Sequence, residues 1–278
     1  MSETGAMHAA GRDILISLNG LSVCYDDFGK SDIPVIFIHG FPFNKSSWEP
    51  QLDFLSRTQR VIAYDIRGFG KSSAGDEEQT ISLFAGDLIR LMDALQIPQA
   101  IVCGLSMGGY IVLNALTRHP ERFKAVILCD TQCIADTPDV KAKRYKTADE
   151  INEQGSKGFS EAFIKNLFAE KTYSTKANLV EKIRTVILSN SAKSLTATLA
   201  AIAEREESCS LLINNSMPTL ILCGTEDKLT PLVQSEFLSV TLKNSTLHSI
   251  ENAGHLSNLE QPDEFNQRIS DFISGLAQ

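Results

Sequence analysis

The stretch that decides the reading is Ala100-Ile101-Val102-Cys103-Gly104-Leu105-Ser106-Met107-Gly108-Gly109-Tyr110. Its first four residues are apolar and β-prone, as in a buried strand. From Tyr110 through Val112, Leu113 and Leu116 the apolar spacing becomes helical. Between the two, Gly104-Leu105-Ser106-Met107-Gly108 fits G-x-S-x-G, a serine on a sharp strand-to-helix turn. Such a turn strains the serine backbone and requires small residues two positions away on each side, which Gly104 and Gly108 supply. The turn also sets the serine oxygen at a helix N-terminus, where developing negative charge is stabilised. A glycine-rich turn with an ordinary N-cap serine would share the glycines. Strand, elbow and helix in this order favour a nucleophile at Ser106.

Working outward, apolar runs at 14–18, 21–25, 35–39, 60–64, 99–104 and 123–129 read as strands. Val35-Ile36-Phe37-Ile38 is continuously apolar, as in a strand covered on both faces. Ile81, Phe84, Leu88, Leu91, Met92 and Leu95 mark one face of a helix that stops before Pro98. Alternation of this kind predicts a mostly parallel sheet. Only Asn19-Gly20 separates the first two runs, so the sheet should open with an antiparallel hairpin. From 131 to 216 strands disappear, and 158–169, 176–189 and 193–206 carry helical spacing. Strands resume at 219–223 and 246–250, and a last helix starts at Pro262.

A serine hydroxyl at neutral pH needs a base within hydrogen-bond reach. Of five histidines, His8 lies in the N-terminal tail, His119 at the far end of the Ser106 helix and His248 inside a strand pattern. His39 ends a strand. His255, in Asn252-Ala253-Gly254-His255, follows the last strand, where the active groups of an open sheet collect, and is the expected base. Asp227 and Asp130 both follow strands and both keep the chain order Ser, Asp, His. The short loop Gly224-Thr225-Glu226-Asp227 before Pro231 favours Asp227, with Asp130 left as the alternative. His39-Gly40-Phe41-Pro42 follows the most apolar strand. The amides of Phe41 and Met107 are expected to donate to an oxyanion, with His39 shaping the loop.

The balance of the 278 residues, 43% hydrophobic with a net charge of −8, suits a globular chain with a large core. With no basic stripe, nucleic acid and anionic membrane are poor partners. No apolar run approaches the roughly 20 residues of a membrane span. The first residues have neither a basic nor an apolar signal region. Of six cysteines, Cys24, Cys103, Cys129 and Cys223 sit in apolar runs, Cys133 and Cys209 elsewhere, with no C-x-x-C pair or zinc spacing. Reduced structural thiols and a cytoplasmic location are the expectation.

Taken together, these residues resemble the α/β-hydrolase family over nearly the whole chain. The likeness rests on His39-Gly40-Phe41-Pro42, Asp65-Ile66-Arg67-Gly68-Phe69-Gly70-Lys71-Ser72, the Ser106 elbow with Gly109, Gly224-Thr225-Glu226-Asp227 and Gly254-His255. It implies a mostly parallel eight-stranded sheet flanked by helices, with a helical cap between strands six and seven. A tail at 1–12, a core at 13–130 and 217–278 and a cap at 131–216 follow. It also implies a triad of Ser106, Asp227 and His255, and a structural role for 65–72. Residues 255–262 and 104–110 are similar to 3-oxoadipate enol-lactonases, whereas His39-Gly40-Phe41-Pro42-Phe43 is closer to cofactor-free haloperoxidase-type esterases.

Enol-lactonase activity would require a cation in the cap. Lys141, Lys143, Arg144 and Lys146 are available, although such a charge run is usually a solvated face. Ser106 stands where haloalkane dehalogenases and epoxide hydrolases carry Asp, and Leu256 where plant-type hydroxynitrile lyases carry Lys. The expectation is a serine hydrolase of a small carboxylic ester or lactone working through an acyl-enzyme, without metal or cofactor. A peracid-forming esterase and a non-catalytic ligand-binding protein are the alternatives. His39, Phe43, Phe163 and Phe168 are expected near an apolar pocket, or, for the cap residues, in cap-to-core packing.

Overall fold

In a computed structural model the structure describes residues 11–276. The strands are β1 Gly11–Leu18, β2 Leu21–Phe28, β3 Val35–Ile38, β4 Val61–Tyr64, β5 Ala100–Leu105, β6 Phe123–Cys129, β7 Thr219–Gly224 and β8 Ser245–Ile250. They form one sheet in the order β1-β2-β4-β3-β5-β6-β7-β8. β1 pairs antiparallel with β2 and β2 with β4, and every later pairing is parallel. The expected hairpin is present, with positive φ at both Asn19 (51°) and Gly20 (89°). Of the tail expected at 1–12, residues 1–10, His8 among them, lie outside the described residues. Residues 11 and 12 open β1, where Gly11 pairs with Asp27.

The helices are α1 Glu49–Leu55, α2 Ile81–Ala94, α3 Met107–Arg118, α4 Pro138–Gln154, α5 Ser156–Ile164, α6 Thr172–Thr175, α7 Ala177–Leu188, α8 Ala192–Ala203, α9 Cys209–Leu212, α10 Leu232–Thr241, α11 Ser257–Glu260 and α12 Pro262–Gly275. Alternate residues of the central strands feed two cores, because successive side chains of a strand point to opposite faces. Ile36, Ile38, Val102, Val126 and Leu128 pack with α2, α3 and α8. Val35, Phe37, Ile101, Cys103, Ile127 and Leu222 pack with Trp48, α1, α7 and α12. Both faces are covered, hence the continuous apolar runs.

Helices α4 to α9 fill the segment between β6 and β7. The helical spacing over 158–169 is cut short at Ile164. Beyond it the Leu167 carbonyl accepts from the His255 amide (2.8 Å), and the Ala169 amide donates to the Glu260 carboxylate (2.9 Å). Those backbone groups serve another loop rather than a further helical turn. α4 lies in a stretch without apolar periodicity: of its 17 residues only Ala148 and Ile151 are buried. Its start is nevertheless marked by Thr137, which caps the Val140 amide, and by Pro138 at the first position.

The cysteine expectation needs one correction. Cys24, Cys103, Cys129 and Cys223 are free and buried, but Cys133 and Cys209 form a disulfide. Cys133 leads into the helical segment and Cys209 opens its last helix, so their spatial approach depends on the return of the chain and could not be read from spacing. Among the described residues no single helix is long and apolar enough to cross a membrane.

Candidate active site

Ser106 joins β5 to α3 with φ 53° and ψ −116°, a left-handed conformation that is costly for a residue with a side chain. The surroundings leave no alternative. A Cβ on Gly104 would come within 2.4 Å of the Gly108 carbonyl, and one on Gly108 within 2.2 Å of the Ile38 oxygen. The elbow is therefore pressed against both its own helix and the end of β3. The Ser106 amide donates to the Cys129 carbonyl (2.9 Å), and its carbonyl accepts from Thr131 Oγ1 (2.8 Å). Backbone and neighbours thus fix the strained residue, and the side chain remains partly exposed.

Beside it runs the loop from His39 to Phe43. His39 is fully buried, its Nδ1–H donating to the Gly40 carbonyl (2.9 Å) and its Nε2 accepting from the Ile66 amide (3.0 Å). Both ring nitrogens are thereby committed, and burial holds the imidazole down at about 4, so it stays neutral. His39 shapes the loop from behind and does not line a pocket. The Phe43 amide donates to the Gly40 carbonyl (2.9 Å), closing a turn with a cis Phe41–Pro42 bond. Among the described residues, neither the Phe41 nor the Met107 amide has a hydrogen-bond acceptor. Gly40 lies against the elbow: a Cβ there would stand 3.1 Å from the Ser106 Cβ.

His255 is buried in the loop after β8, its Nδ1 2.8 Å from Asp227 Oδ2. Asp227 is held in turn by the amides of Leu229 (2.8 Å) and Thr230 (3.0 Å) on Oδ1 and by Thr230 Oγ1 (2.7 Å) on Oδ2. Burial opposes its ionisation, but His255 and these donors win, and its carboxyl sits below the ordinary range. Burial likewise disfavours the imidazolium, yet Asp227, Asp130 and Glu260 together raise His255 above its ordinary value. An ionised Asp227 accepts from Nδ1–H and so leaves Nε2 as the basic nitrogen. Among the described residues Ser106 and His255 are not hydrogen-bonded to each other, and the hydrogen bonds of the His255 ring are both at Nδ1. Serine–base hydrogen bonds are often long before substrate binds.

Asp130, the alternative acid, makes no hydrogen bond to His255 among the described residues. Its Oδ1 accepts from the Gly224 amide (2.8 Å) and its Oδ2 meets Ser257 Oγ (2.5 Å). Burial first, and the Asp227 charge second, push its carboxyl well up, which favours the neutral acid. Ligand atoms of Asp130, Cys223 and Asp227 lie within 4.8 Å of one another. The carboxylates are already engaged by these donors, and burial keeps the Cys223 thiol protonated, so the trio is poorly suited to a metal.

The four residues expected at the pocket have separate fates. Phe163, half-buried on α5, meets Phe41 at 6.3 Å between ring centroids and Phe43 at 6.4 Å. Phe43 is fully covered, as is Phe168, which packs edge-on to Tyr173 (5.8 Å). Packing, rather than a pocket wall, is the place of Phe168. Phe159, one helical turn before Phe163 and not among the expected pocket residues, joins the aromatic group at 5.8 Å from Phe41. A separate cavity of about 530 Å³ between α2, α3 and α8 is lined by Tyr110, Gln132 and Arg205, among others, but not by Ser106 or His255.

A mostly parallel eight-stranded sheet with the Ser106 elbow on β5 and an acid–histidine pair beyond β7 and β8 defines a class. The family model described as alpha/beta hydrolase fold matches residues 33–262, and the chain belongs to this family. It is 32% identical to 3-oxoadipate enol-lactonase 2 of Acinetobacter baylyi, over 91% of this chain and 94% of that protein. It is 29% identical to a putative non-heme chloroperoxidase of Synechocystis, over 91% and 95%. A thermophilic esterase from Thermogutta terrifontis, solved with malate bound, superposes with a TM-score of 0.90 at 32% identity, over 95% and 97%.

Proposed function

We propose that the protein hydrolyses small, uncharged carboxylic esters or lactones through an acyl-enzyme on Ser106. The observation that carries this reading is the buried Asp227–His255 pair, 2.8 Å apart, at the same sheet edge as a serine held at φ 53°. His255 Nε2 takes the hydroxyl proton as Ser106 Oγ attacks the acyl carbon. The free amides of Phe41 and Met107 hold the oxyanion. The proton passes to the leaving alkoxide, and the acyl-enzyme remains. Water then attacks, giving its proton to His255, and the acid departs as Ser106 recovers its hydrogen.

The segment 131–216 acts as a cap, bringing Phe159 and Phe163 of α5 against Phe41. This apolar lining supports a neutral acyl group. The cations that a carboxylate-bearing enol-lactone would need are engaged elsewhere on α4: Lys141 with Glu204 (3.1 Å), Arg144 with Asp136 and Lys146 with Glu150 (3.8 Å). Lys143 is exposed. The likeness to a chloroperoxidase supports a second use of the same acyl-enzyme, with peroxide in place of water forming a peracid.

A panel of p-nitrophenyl esters from acetate to octanoate, with simple lactones, tests the reading. Turnover of the shorter esters that disappears in Ser106→Ala is expected. A protein that binds these esters without cleaving them would be a ligand-binding member of the family. Dye bromination in acetate, bromide and peroxide reads out the peracid arm.

A further inference from the structure

Glu260 is a fully buried carboxylate that the triad does not use. It sits at the end of α11, five residues after His255, and faces two separate parts of the chain. Oε1 accepts from the Gly254 amide (2.7 Å), immediately before His255. Oε2 accepts from the Ala169 amide (2.9 Å) and Thr172 Oγ1 (2.7 Å), in the turn that ends the α5 region and at the start of α6. The same two chain segments touch again next door, where the His255 amide donates to the Leu167 carbonyl (2.8 Å). Gly254 itself lies against the Phe168 backbone, within 2.6 Å of where a Cβ would stand. A buried carboxylate with three donors and two separate clients is costly to place unless all its bonds are kept.

We propose that Glu260 is a positioning residue that locks the His255 loop to segment 167–172, so that cap and base keep one register. The proposal rests on His255 being the base of the proposed triad. The cap then does more than cover the site, because disturbing 167–172 disturbs the orientation of the imidazole. The charged and titratable groups around the pair are few. His255 faces Asp227, Asp130 and Glu260, and Glu260 faces Lys176 of the α6–α7 turn and Tyr173 of α6. Glu260 is thus one of the anions that favour the protonated imidazole.

Glu260→Gln keeps the volume but places an N–H₂ where one client needs an acceptor. Amide hydrogen exchange is the first measurement. In this variant the Gly254 and Ala169 amides should both exchange at least about tenfold faster than in the wild type, with β3 unchanged. Thr172→Val removes a bond on the cap side only, and the coupling requires faster exchange at Gly254 across the carboxylate. Unchanged Gly254 exchange in Thr172→Val overturns the proposal, whether or not Glu260→Gln folds well.

Kinetics on p-nitrophenyl acetate supply the second measurement. Glu260→Gln should lower kcat by about tenfold or more with KM within about threefold, and shift the acid limb of the pH profile to lower pH. Glu260→Asp should recover part of both. Wild-type kcat and an unmoved pH profile in Glu260→Gln would also overturn the proposal. If the wild type fails to cleave any ester, the hydrolase reading falls, while the exchange experiment still decides the coupling.

Discussion

Replacing Asp227 by Asn tests which acid serves His255. Four donors converge on the carboxylate: the Leu229 and Thr230 amides on Oδ1, and Thr230 Oγ1 and His255 Nδ1 on Oδ2, all between 2.7 and 3.0 Å. Asn keeps an oxygen for the two amides and so turns its N–H₂ toward His255 Nδ1. Nδ1 must then accept, and the ring proton moves to Nε2, the nitrogen that has to receive the Ser106 proton. A triad with its histidine in the wrong tautomer loses about 10⁴-fold in kcat, or about 5 kcal/mol of barrier. Asp130→Asn is the comparison. Asp130 is pushed toward the neutral acid and bonds Gly224 and Ser257 rather than the ring, so the amide imitates the native group. It should cost less than about tenfold in kcat. Both variants are assayed for p-nitrophenyl acetate turnover, with folding checked by thermal unfolding. An Asp227→Asn enzyme within tenfold of the wild type, or an equally crippled Asp130→Asn, would refute the assignment.

Three further outcomes are expected. Activity needs neutral His255, whose protonated form is favoured above the ordinary histidine value, so kcat/KM should be full above that raised pKa and fall as pH drops through it. A pH profile flat down to pH 5 would contradict this. Phe163→Ala, by opening the aromatic group around Phe41, should raise KM for aromatic acyl esters several-fold and change acetate turnover less than about threefold. Equal effects on both substrates would place Phe163 outside the acyl pocket. The disulfide closes a loop of sequence separation 76, so Cys133→Ser should lower stability by up to about 4 kcal/mol in urea unfolding under non-reducing conditions. An unchanged midpoint would show that the bond adds nothing to stability.

Much of this arrangement is legible in the sequence because it is local. The Asn19-Gly20 hairpin, the apolar β3 and β5 runs, the apolar face from Ile81 to Leu95 and the Ser106 elbow each carry their own chemistry within a few residues. What escaped the reading depends on the return of distant chain. His39 shapes its loop as expected, but it is buried behind that loop with both nitrogens held by Gly40 and Ile66 rather than set near a pocket. The helix expected through 169 ends at Ile164 because the His255 loop and Glu260 claim the following backbone. Phe168 carries the same spacing as Phe163, yet only the latter faces Phe41. Cys133 and Cys209 meet only because the helical segment closes on itself. A helix such as α4, with two buried residues, has no apolar stripe to be found by periodicity and is betrayed only by Thr137 and Pro138.

The most direct trial of the central claim is covalent. Incubation with a fluorophosphonate, followed by peptide mass spectrometry, should place a single adduct on Ser106, with labelling strongly slowed in His255→Ala. Failure to label, or an adduct elsewhere while Ser106 stays unmodified, would contradict a serine activated by a histidine three strands away.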